Sequence, residues 1–458
     1  MQNEIALFNE LCDQLFKAES NQPVAQLIPT TEIYNQLDLS LNADGIIDEE
    51  LKNTLAQIIK STPKTASKSF FNQLFGGRNG KATLGDLLAV MLNNSMYTYK
   101  VAGPQVGIEK QILKNICALA GYSETSDGTL APGGSMSNMM ALIMARDAKN
   151  VSIRTHGLTS KMTLYTSSES HYSISKNAAL IGIGRNHVRA VNTNKKGEML
   201  ADHLNKLIEN DISKGFQPFF VNATAGTTVL GAFDDIEAIS KVCKKHNLWL
   251  HVDGAYCGSV IFSDTYKHLV KGLKLSDSFS VNAHKMLGTP LSCSIIVTQH
   301  RAQLHHSFSN EADYLYQTDG DEFNLGKTSL QCGRRNDALK LWTLWKSIGT
   351  KGLEKIVDKQ FEMAQIARDY IKNHKDYTLY SFEDSISVCF NYKAISASKL
   401  CTALYENSEL MVGFGKFNNQ EFVRMVTINN LLEKEDILTF FETLESFVAK
   451  NISKITTS

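Results

Sequence analysis

The chain has 458 residues, of which 43% are hydrophobic and 21% are charged, a composition typical of a globular protein with a large buried core. Lysine plus arginine equals aspartate plus glutamate at 47 each, so no overall charge favours nucleic acid or an anionic membrane as a partner. The cysteines form no CxxC pair and the N-terminus lacks the order of a secretory signal, so we expect a cytoplasmic protein without a metal site or a disulfide framework.

The predicted elements begin with an amphipathic helix, because residues 1–18 place their apolar side chains on one helical face. Residues 61–80 mix Pro, Lys, Ser, Asn and Gly and are predicted to form a loop. From about Leu87 to Trp345, β-rich runs alternate with helical patterns, which indicates βαβ units and a mostly parallel sheet. The clearest strands are residues 219–222, 248–252 and 278–281, with a helix at 235–246.

Domain boundaries are weakly marked, since the chain has only seven prolines and no stiff linker. We predict an N-terminal helical segment over residues 1–86, a large domain over 87–360 and a small domain over 361–458. The small domain ends in a helix whose apolar stripe runs from Ile437 to Val448.

Two segments that follow predicted strands carry groups that a pyridoxal phosphate (PLP) enzyme needs. In "VNAHKMLGTP" (281–290), Lys285 comes just after a strand, where desolvation favours the deprotonated amine that reacts with the cofactor's aldehyde. In "LWLHVDGAYCG" (248–258), Asp253 ends a hydrophobic strand. A carboxylate there is costly unless it meets a cation, and the protonated pyridine nitrogen is one.

Two further segments supply an anion site and an aromatic ring. "APGGSMSNMMALIMAR" (131–146) is a glycine loop that leads into a helix, and its amides at Gly134 and the hydroxyl of Ser135 suit a phosphate. "SSESHYS" (167–173) supplies His171, whose imidazole can stack on the cofactor ring. Each group alone also has an ordinary structural explanation, such as an exposed lysine, a turn cap or a helix N-cap. Their order at the C-terminal edge of a parallel sheet favours the PLP interpretation.

From about Phe70 to its end, the chain resembles the group II PLP-dependent amino-acid decarboxylases, in particular the glutamate, cysteine-sulfinate and aspartate decarboxylase branch. The resemblance rests on the segments "FFNQLF" (70–75), "NNSMYTYKVA" (93–102), "PGGSMSNM" (132–139), "ATAGTTVLGAFDDI" (223–236), "WLHVDGAY" (249–256), "NAHKMLG" (282–288), "SLQCGRRNDALKLW" (329–342) and "FVRMVTIN" (422–429). It implies an α/β fold of type I, similar to aspartate aminotransferase. Such a fold has a large domain with a mostly parallel seven-stranded sheet, a small α/β C-terminal domain and an N-terminal segment swapped across a homodimer.

The resemblance also implies roles for single residues. Lys285 matches the lysine that binds the cofactor covalently, Asp253 the partner of the pyridine nitrogen and His171 the stacking residue. Tyr314 matches the catalytic-loop tyrosine that protonates Cα. Positions that match cofactor contacts are Gly134, Ser135, Thr228 and His284, and Asp234 matches an acidic residue beside the pocket.

For the substrate, the resemblance implies that Arg424 binds an acidic side chain, with Gln73 adding a neutral donor and Tyr97 setting the pocket depth. Tyr97 favours aspartate, whereas Met96 favours glutamate. We therefore predict α-decarboxylation of a small acidic L-amino acid, with aspartate and glutamate ahead of cysteine sulfinate. The alternatives are a decarboxylase of a non-acidic amino acid such as diaminobutyrate, another PLP enzyme of the same fold such as an aminotransferase, and a non-catalytic binding protein.

Overall fold

The computed structural model describes residues 1–21, 23–310 and 321–457. Contacts divide the chain into two compact units. The larger unit comprises residues 78–362 and 382–386, and the smaller unit comprises residues 1–77, 363–381 and 387–458. The expected three-part division, with boundaries after residues 86 and 360, stays a prediction.

Over the described residues, the strands are β1 (Phe70–Phe71), β2 (Asp127–Ala131), β3 (Met162–Ser167), β4 (Val188–Val191), β5 (Gln217–Thr224), β6 (Trp249–Gly254), β7 (Ser278–Asn282), β8 (Ser294–Thr298), β9 (Tyr377–Leu379), β10 (Ser387–Tyr392), β11 (Met411–Phe417) and β12 (Gln420–Val426). The α-helices there are α1 (Gln2–Asn21), α2 (Ile33–Gln36), α3 (Asp48–Ser61), α4 (Gly80–Leu92), α5 (Tyr99–Ala102), α6 (Gln105–Leu119), α7 (Gly134–Lys149), α8 (Ile153–His156), α9 (Ser173–Leu180), α10 (Ala201–Ser213), α11 (Ile236–His246), α12 (Arg301–Phe308), α13 (Ala338–Lys372), α14 (Ala397–Glu406) and α15 (Lys434–Thr457). α13 is interrupted at Gly349, whose φ of 69° is left-handed. None of the helices found in the described ranges has the length and apolar character needed to span a membrane.

The larger unit is built on a seven-stranded sheet in the order β2-β8-β7-β6-β5-β3-β4. β8 pairs antiparallel with both β2 and β7, and the remaining neighbours run parallel. Every residue of β6, β7 and β8 is buried, as expected for strands of a sheet that is covered on both faces. The predicted α/β fold with a mostly parallel seven-stranded sheet is confirmed.

The helix α11 shows how local sequence sets an element of this unit. Asp235 caps its N-terminus, since the side chain accepts the N–H of Ala238 at 3.0 Å. Asn247 ends the helix in the left-handed conformation with φ of 52°, which asparagine tolerates better than most residues. The sequence predicted a helix over 235–246, and the structure has it at Ile236–His246.

The carboxyl ends of three neighbouring parallel strands form one edge of this sheet. Thr224 at the end of β5 lies opposite Asp253 of β6, and Asp253 lies opposite Ser280 of β7. Ligands of open α/β sheets bind at such an edge. The chain continues directly from β7 into Lys285.

The smaller unit has a five-stranded sheet in the order β1-β11-β12-β10-β9, in which β1 is parallel to β11 and the other pairs are antiparallel. The rings of Phe71 in β1 and Phe440 in α15 pack edge to face with centroids 4.8 Å apart. The sequence predicted a loop over residues 61–80, and the structure differs there because Phe70–Phe71 form β1. This strand is stabilised by Met411 and Val412, which lie far away in the sequence.

Candidate active site

A cavity of about 230 Å³ lies at the carboxyl ends of β5, β6 and β7. It brings together all the residues that the sequence predicted as cofactor contacts, which are Gly134, Ser135, His171, Thr228, Asp253, His284 and Lys285. A larger cavity of about 1320 Å³ lies elsewhere in the same unit, beside His300, Arg301 and Lys327, and holds none of these residues. Among the residues described, no group of three or more His, Cys, Asp and Glu side chains could hold a metal ion.

Lys285 reaches the cavity from the turn after β7, where its backbone N–H donates to the carbonyl of Asn282 at 3.1 Å. Its neighbour His284 is buried, and burial lowers the pKa of that imidazole to about 4. The Nδ1 atom of His284 accepts the backbone N–H of Cys293 at 2.9 Å. The same Nδ1 atom lies 3.0 Å from the carbonyl oxygen of Cys293, so both backbone groups of Cys293 hold the imidazole ring in place at the cavity.

Asp253 is the penultimate residue of β6 and is 5% exposed. One carboxylate oxygen, Oδ1, accepts the backbone N–H of Ala255 at 3.0 Å, and Oδ2 accepts the side-chain amide of Asn138 at 2.7 Å. These two bonds fix the plane of the carboxylate. A buried carboxylate held in this way is a suitable acceptor for a cationic N–H group of a ligand.

The first turn of α7 forms one end of the cavity. A Cβ added to Gly134 would come within 2.9 Å of the side-chain amide of Asn282 and 3.1 Å of Ala255, so only glycine fits here without displacement of its neighbours. Asn177 donates to the carbonyl of Ser135 at 2.7 Å and holds this turn in place. The N-terminus of a helix of 16 residues, with its free amides and the Ser135 hydroxyl, is a binding site for an anion.

His171 lies just before α9, half-buried, with its ring centroid 4.2 Å from that of Tyr172. The pKa of His171 is lowered, chiefly because burial disfavours the charged ring; the nearby Lys285 lowers it further and Asp253 opposes the shift. A neutral imidazole presents a flat face to a ligand ring without adding a positive charge.

Asp234 lies behind the wall of the cavity and is 3% exposed. Its carboxylate accepts the backbone N–H groups of Met199 at 2.6 Å and Thr224 at 2.8 Å. Burial raises the pKa of Asp234 to about 7 in spite of these bonds. Since Thr224 lines the cavity, Asp234 supports the end of β5 from behind.

Three further predicted residues that the structure describes, Tyr97, Arg424 and Gln73, are outside the lining of this cavity. Tyr97 belongs to the larger unit, where its carbonyl accepts the N–H of Gly326 at 2.8 Å. Arg424 and Gln73 belong to the smaller unit. Arg424 is on β12, and its Nη2 donates to the carbonyl of Asn72, the residue before Gln73, at 2.8 Å. Tyr314 lies outside the described residues.

The sequence analysis missed Asn138, which lines the cavity and binds Asp253. A signal was present, because Asn138 follows Ser135 by three residues in a predicted helix and therefore lies on the same face. It also missed Asn282, whose side chain closes the cavity against Gly134.

These groups fit PLP. The N-terminus of α7 suits the phosphate, the amine of Lys285 suits the aldehyde, and the carboxylate of Asp253 suits a protonated ring nitrogen. The volume, about 230 Å³, is that of a site for one small aromatic molecule.

Comparison with known proteins extends this agreement over the whole chain. Residues 31–393 match the model of the pyridoxal-dependent decarboxylase conserved domain. Human cysteine sulfinic acid decarboxylase is 35% identical over an alignment of 466 positions, gaps included, which covers 96% of this chain and 94% of the relative. The mouse acidic amino acid decarboxylase GADL1 is 33% identical over 93% of this chain and 82% of its own length. The crystal structure of mouse CSAD superposes with a TM-score of 0.90 at 33% identity, covering 96% of this chain and 98% of that one.

Proposed function

Since the chain belongs to the pyridoxal-dependent decarboxylase family and is a PLP-dependent amino-acid decarboxylase, we propose that its substrate is a small acidic L-amino acid: aspartate, glutamate or cysteine sulfinate. The observation that carries the chemistry is the cavity in which Lys285, Asp253 and His171 meet the N-terminus of α7. The acidic substrate class is supported by the names of the relatives, which act on cysteine sulfinic acid and on acidic amino acids.

When bound, PLP supplies a protonated aromatic ring that accepts the electron pair left at Cα as CO2 departs. In this proposal, Lys285 would hold the cofactor through its amine and would release it to the amine of the substrate. The carboxylate of Asp253 holds the proton on the ring nitrogen, where it stabilises the negative charge that develops in the transition state. The neutral ring of His171 lies against the cofactor, and Ser135 with the first turn of α7 holds the phosphate.

The reaction also needs a fixed orientation of the substrate and one proton transfer to Cα. The residues that fix the substrate would orient its α-carboxylate so that loss of CO2 is selected over loss of the α-proton. Tyr314 then donates a proton to Cα as general acid.

Arg424 is the proposed partner of the acidic side chain of the substrate. Arg424 is half-buried on β12, where its backbone is paired with Cys389 of β10 and Gly413 of β11. A planar guanidinium pairs with a carboxylate or a sulfinate through two parallel hydrogen bonds, which offsets the desolvation of both charges. Gln73 adds a neutral donor beside it.

The substrate class is tested by kcat/KM for a panel of amino acids with the amine products identified. Arg424→Met should lower kcat/KM for the acidic substrate by about 1.5–3 kcal/mol in transition-state stabilisation, roughly ten- to a hundredfold. Arg424→Lys should recover only part of the lost kcat/KM, because an ammonium group cannot form the two parallel hydrogen bonds of a guanidinium. Lys416→Met is the matched control, since it removes an exposed cation from the adjacent strand β11. If diaminobutyrate or another non-acidic amino acid is the best substrate, the proposed substrate class is wrong.

We further propose that the protein acts as a cytoplasmic homodimer. The helix α4 carries a row of solvent-exposed apolar side chains, with Leu84 58%, Leu88 48% and Met91 57% exposed. Such a face is typical of an interface. The eight cysteines, all within the described residues, form no disulfide bond, as is usual in a reducing compartment. Light scattering should give twice the mass of 50.8 kDa, and Leu88→Asp should lower it toward that of one chain.

A further inference from the structure

A line of buried polar side chains runs through the sheet of the larger unit and ends at Asp253. The indole Nε1 of Trp249 is 2.9 Å from the hydroxyl of Ser278, and that hydroxyl is 2.9 Å from Nδ1 of His251. The Nε2 atom of His251 is 3.1 Å from Oδ1 of Asn138, whose Nδ2 is 2.7 Å from Oδ2 of Asp253. Asn138, His251 and Ser278 are at most 1% exposed.

The two ends of this line fix the direction of every hydrogen bond in it. An indole only donates, and a carboxylate only accepts. Asn138 must therefore turn its amide nitrogen to Asp253 and its oxygen to His251, so that Nε2 of His251 carries the proton. The Nδ1 atom of the same ring then accepts from the hydroxyl of Ser278, which in turn accepts from Trp249.

The protonation state of His251 agrees with this assignment. Burial lowers the pKa of His251 to about 4, so the ring is neutral near pH 7 and carries one N–H. The second amide hydrogen of Asn138 goes to the hydroxyl of Ser173 at 3.0 Å. Along the series of hydrogen bonds from Trp249 to Asp253, each donor thus faces an acceptor.

A buried series of hydrogen bonds of this length is less favourable for stability than apolar packing, because each polar group destabilises the folded protein when it loses its hydrogen-bond partner. Apolar side chains would fill the same space between β6, β7 and α7 without needing any hydrogen-bond partner. These hydrogen bonds hold the carboxylate of Asp253 in a single orientation, with Oδ2 bound by Asn138 and Oδ1 bound by the N–H of Ala255.

We propose that Asn138 is a positioning residue of the enzyme, held in register by His251 and Ser278, and that it acts on the cofactor by orienting the carboxylate of Asp253. This inference rests on the proposed function, in which Asp253 meets the ring nitrogen. Asn138 also lines the cavity, so direct contact with the cofactor is the competing explanation that an experiment has to separate.

The first measurement is the dissociation constant of PLP, obtained by titrating the full-length apoprotein and following its fluorescence. Asn138→Ala should raise this constant roughly ten- to a hundredfold, as expected when a hydrogen bond to a charged group is lost. His251→Phe and Ser278→Ala, one and two bonds farther away, should raise it by successively smaller factors. Tyr122→Phe is the control, since it removes another buried hydrogen bond of the same unit, to Ser276 at 2.7 Å, and should leave the constant unchanged.

The second measurement is a double-mutant cycle with Asp253→Ala. If Asn138 acts through the carboxylate, Asn138→Ala should change the dissociation constant less than about twofold in the Asp253→Ala background. An equal increase in both backgrounds would overturn the inference, because Asn138 would then act on the cofactor directly. If Asp253→Ala alone leaves cofactor affinity and activity unchanged, it is instead the proposed role of Asp253 that fails.

Should Asn138→Ala lose its cooperative melting transition, the same cycle is run with Ser278→Ala, which leaves Asn138 in place. A rise in the dissociation constant that disappears in the Asp253→Ala background supports the inference. If a folded Ser278→Ala variant has an unchanged dissociation constant for PLP, and the absorption of its bound cofactor is also unchanged between pH 6 and 9, then Ser278 and His251 do not help to position Asn138.

Discussion

Replacement of Asp253 by asparagine keeps the shape of the side chain and removes its charge. In the native protein both oxygens accept N–H groups, Oδ2 from Asn138 at 2.7 Å and Oδ1 from Ala255 at 3.0 Å. An asparagine places its own NH2 group against one of these donors. The variant therefore loses one hydrogen bond at the carboxylate position as well as the proposed interaction with the ring nitrogen.

The size of the effect follows from the interaction that is lost. A hydrogen bond to a charged group contributes about 1.5–3 kcal/mol, so the dissociation constant of PLP should rise roughly ten- to a hundredfold. At a free PLP concentration of about a hundred times the native dissociation constant, binding stabilises the native protein by about 2.7 kcal/mol. At the same concentration the stabilisation should fall to about 1.4 kcal/mol for a tenfold loss of affinity and about 0.4 kcal/mol for a hundredfold loss.

The assay is thermal unfolding of the apoprotein with and without that concentration of PLP, together with kcat. Asp253→Asn should retain a cooperative transition, show a smaller increase in Tm on addition of PLP, and be nearly inactive. Asp211→Asn is a suitable control, because Asp211 is another buried carboxylate of the larger unit, bound by Tyr165 and Arg189. A variant with native kcat within a few-fold and the native increase in Tm would refute the reasoning.

Lys285→Ala should abolish turnover, and borohydride reduction followed by peptide mapping should place the cofactor on Lys285 in the native protein; a label on another lysine contradicts the assignment. Tyr314→Phe should still release CO2 but yield less amine per CO2, because protonation of Cα slows; an unchanged ratio excludes Tyr314 as the donor. Burial raises the pKa of Asp234 from 3.8 to about 7, so its contribution to stability is present at low pH and is lost as pH rises from about 4 to about 7. Relative to Asp234→Asn, the native protein should therefore lose up to about 1.4 kcal/mol per pH unit over this window, and a difference in free energy of unfolding that is flat with pH would contradict this.

The parallel sheet and the residues at its edge were predictable because each signal is local. Asp253 lies at the carboxyl end of β6 and Lys285 comes three residues after β7, and parallel strands end at a common edge. The anion site is marked in the sequence by the glycine loop that leads into α7, where Gly134 directly precedes Ser135. Short-range sequence is enough for these three positions.

The parts that escaped prediction depend on distant pairs. Asn138 and His251 are 113 residues apart, and each alone has the pattern of an ordinary buried polar residue. The strand β1 has only two residues, Phe70–Phe71, and its partner follows far later in the chain. The proposed role of Arg424 in substrate binding rests on a sequence motif alone and stays a prediction, because an arginine on a strand is otherwise most often a surface residue.

The smaller unit is assembled from both ends of the chain. Its β1 pairs with β11, and the hydrogen bond between Asn72 and Arg424 spans 352 residues. During synthesis, residues 78–362 of the larger unit are complete well before the strands that β1 needs have been made. Phe70 and Phe71 are therefore synthesised well before Met411 and Val412, with which they pair, and they have no β-sheet partner until β11 has been translated. Premature termination before β11 would leave an otherwise complete larger unit attached to an N-terminal segment that has nothing to pair with, a natural substrate for chaperones and proteases.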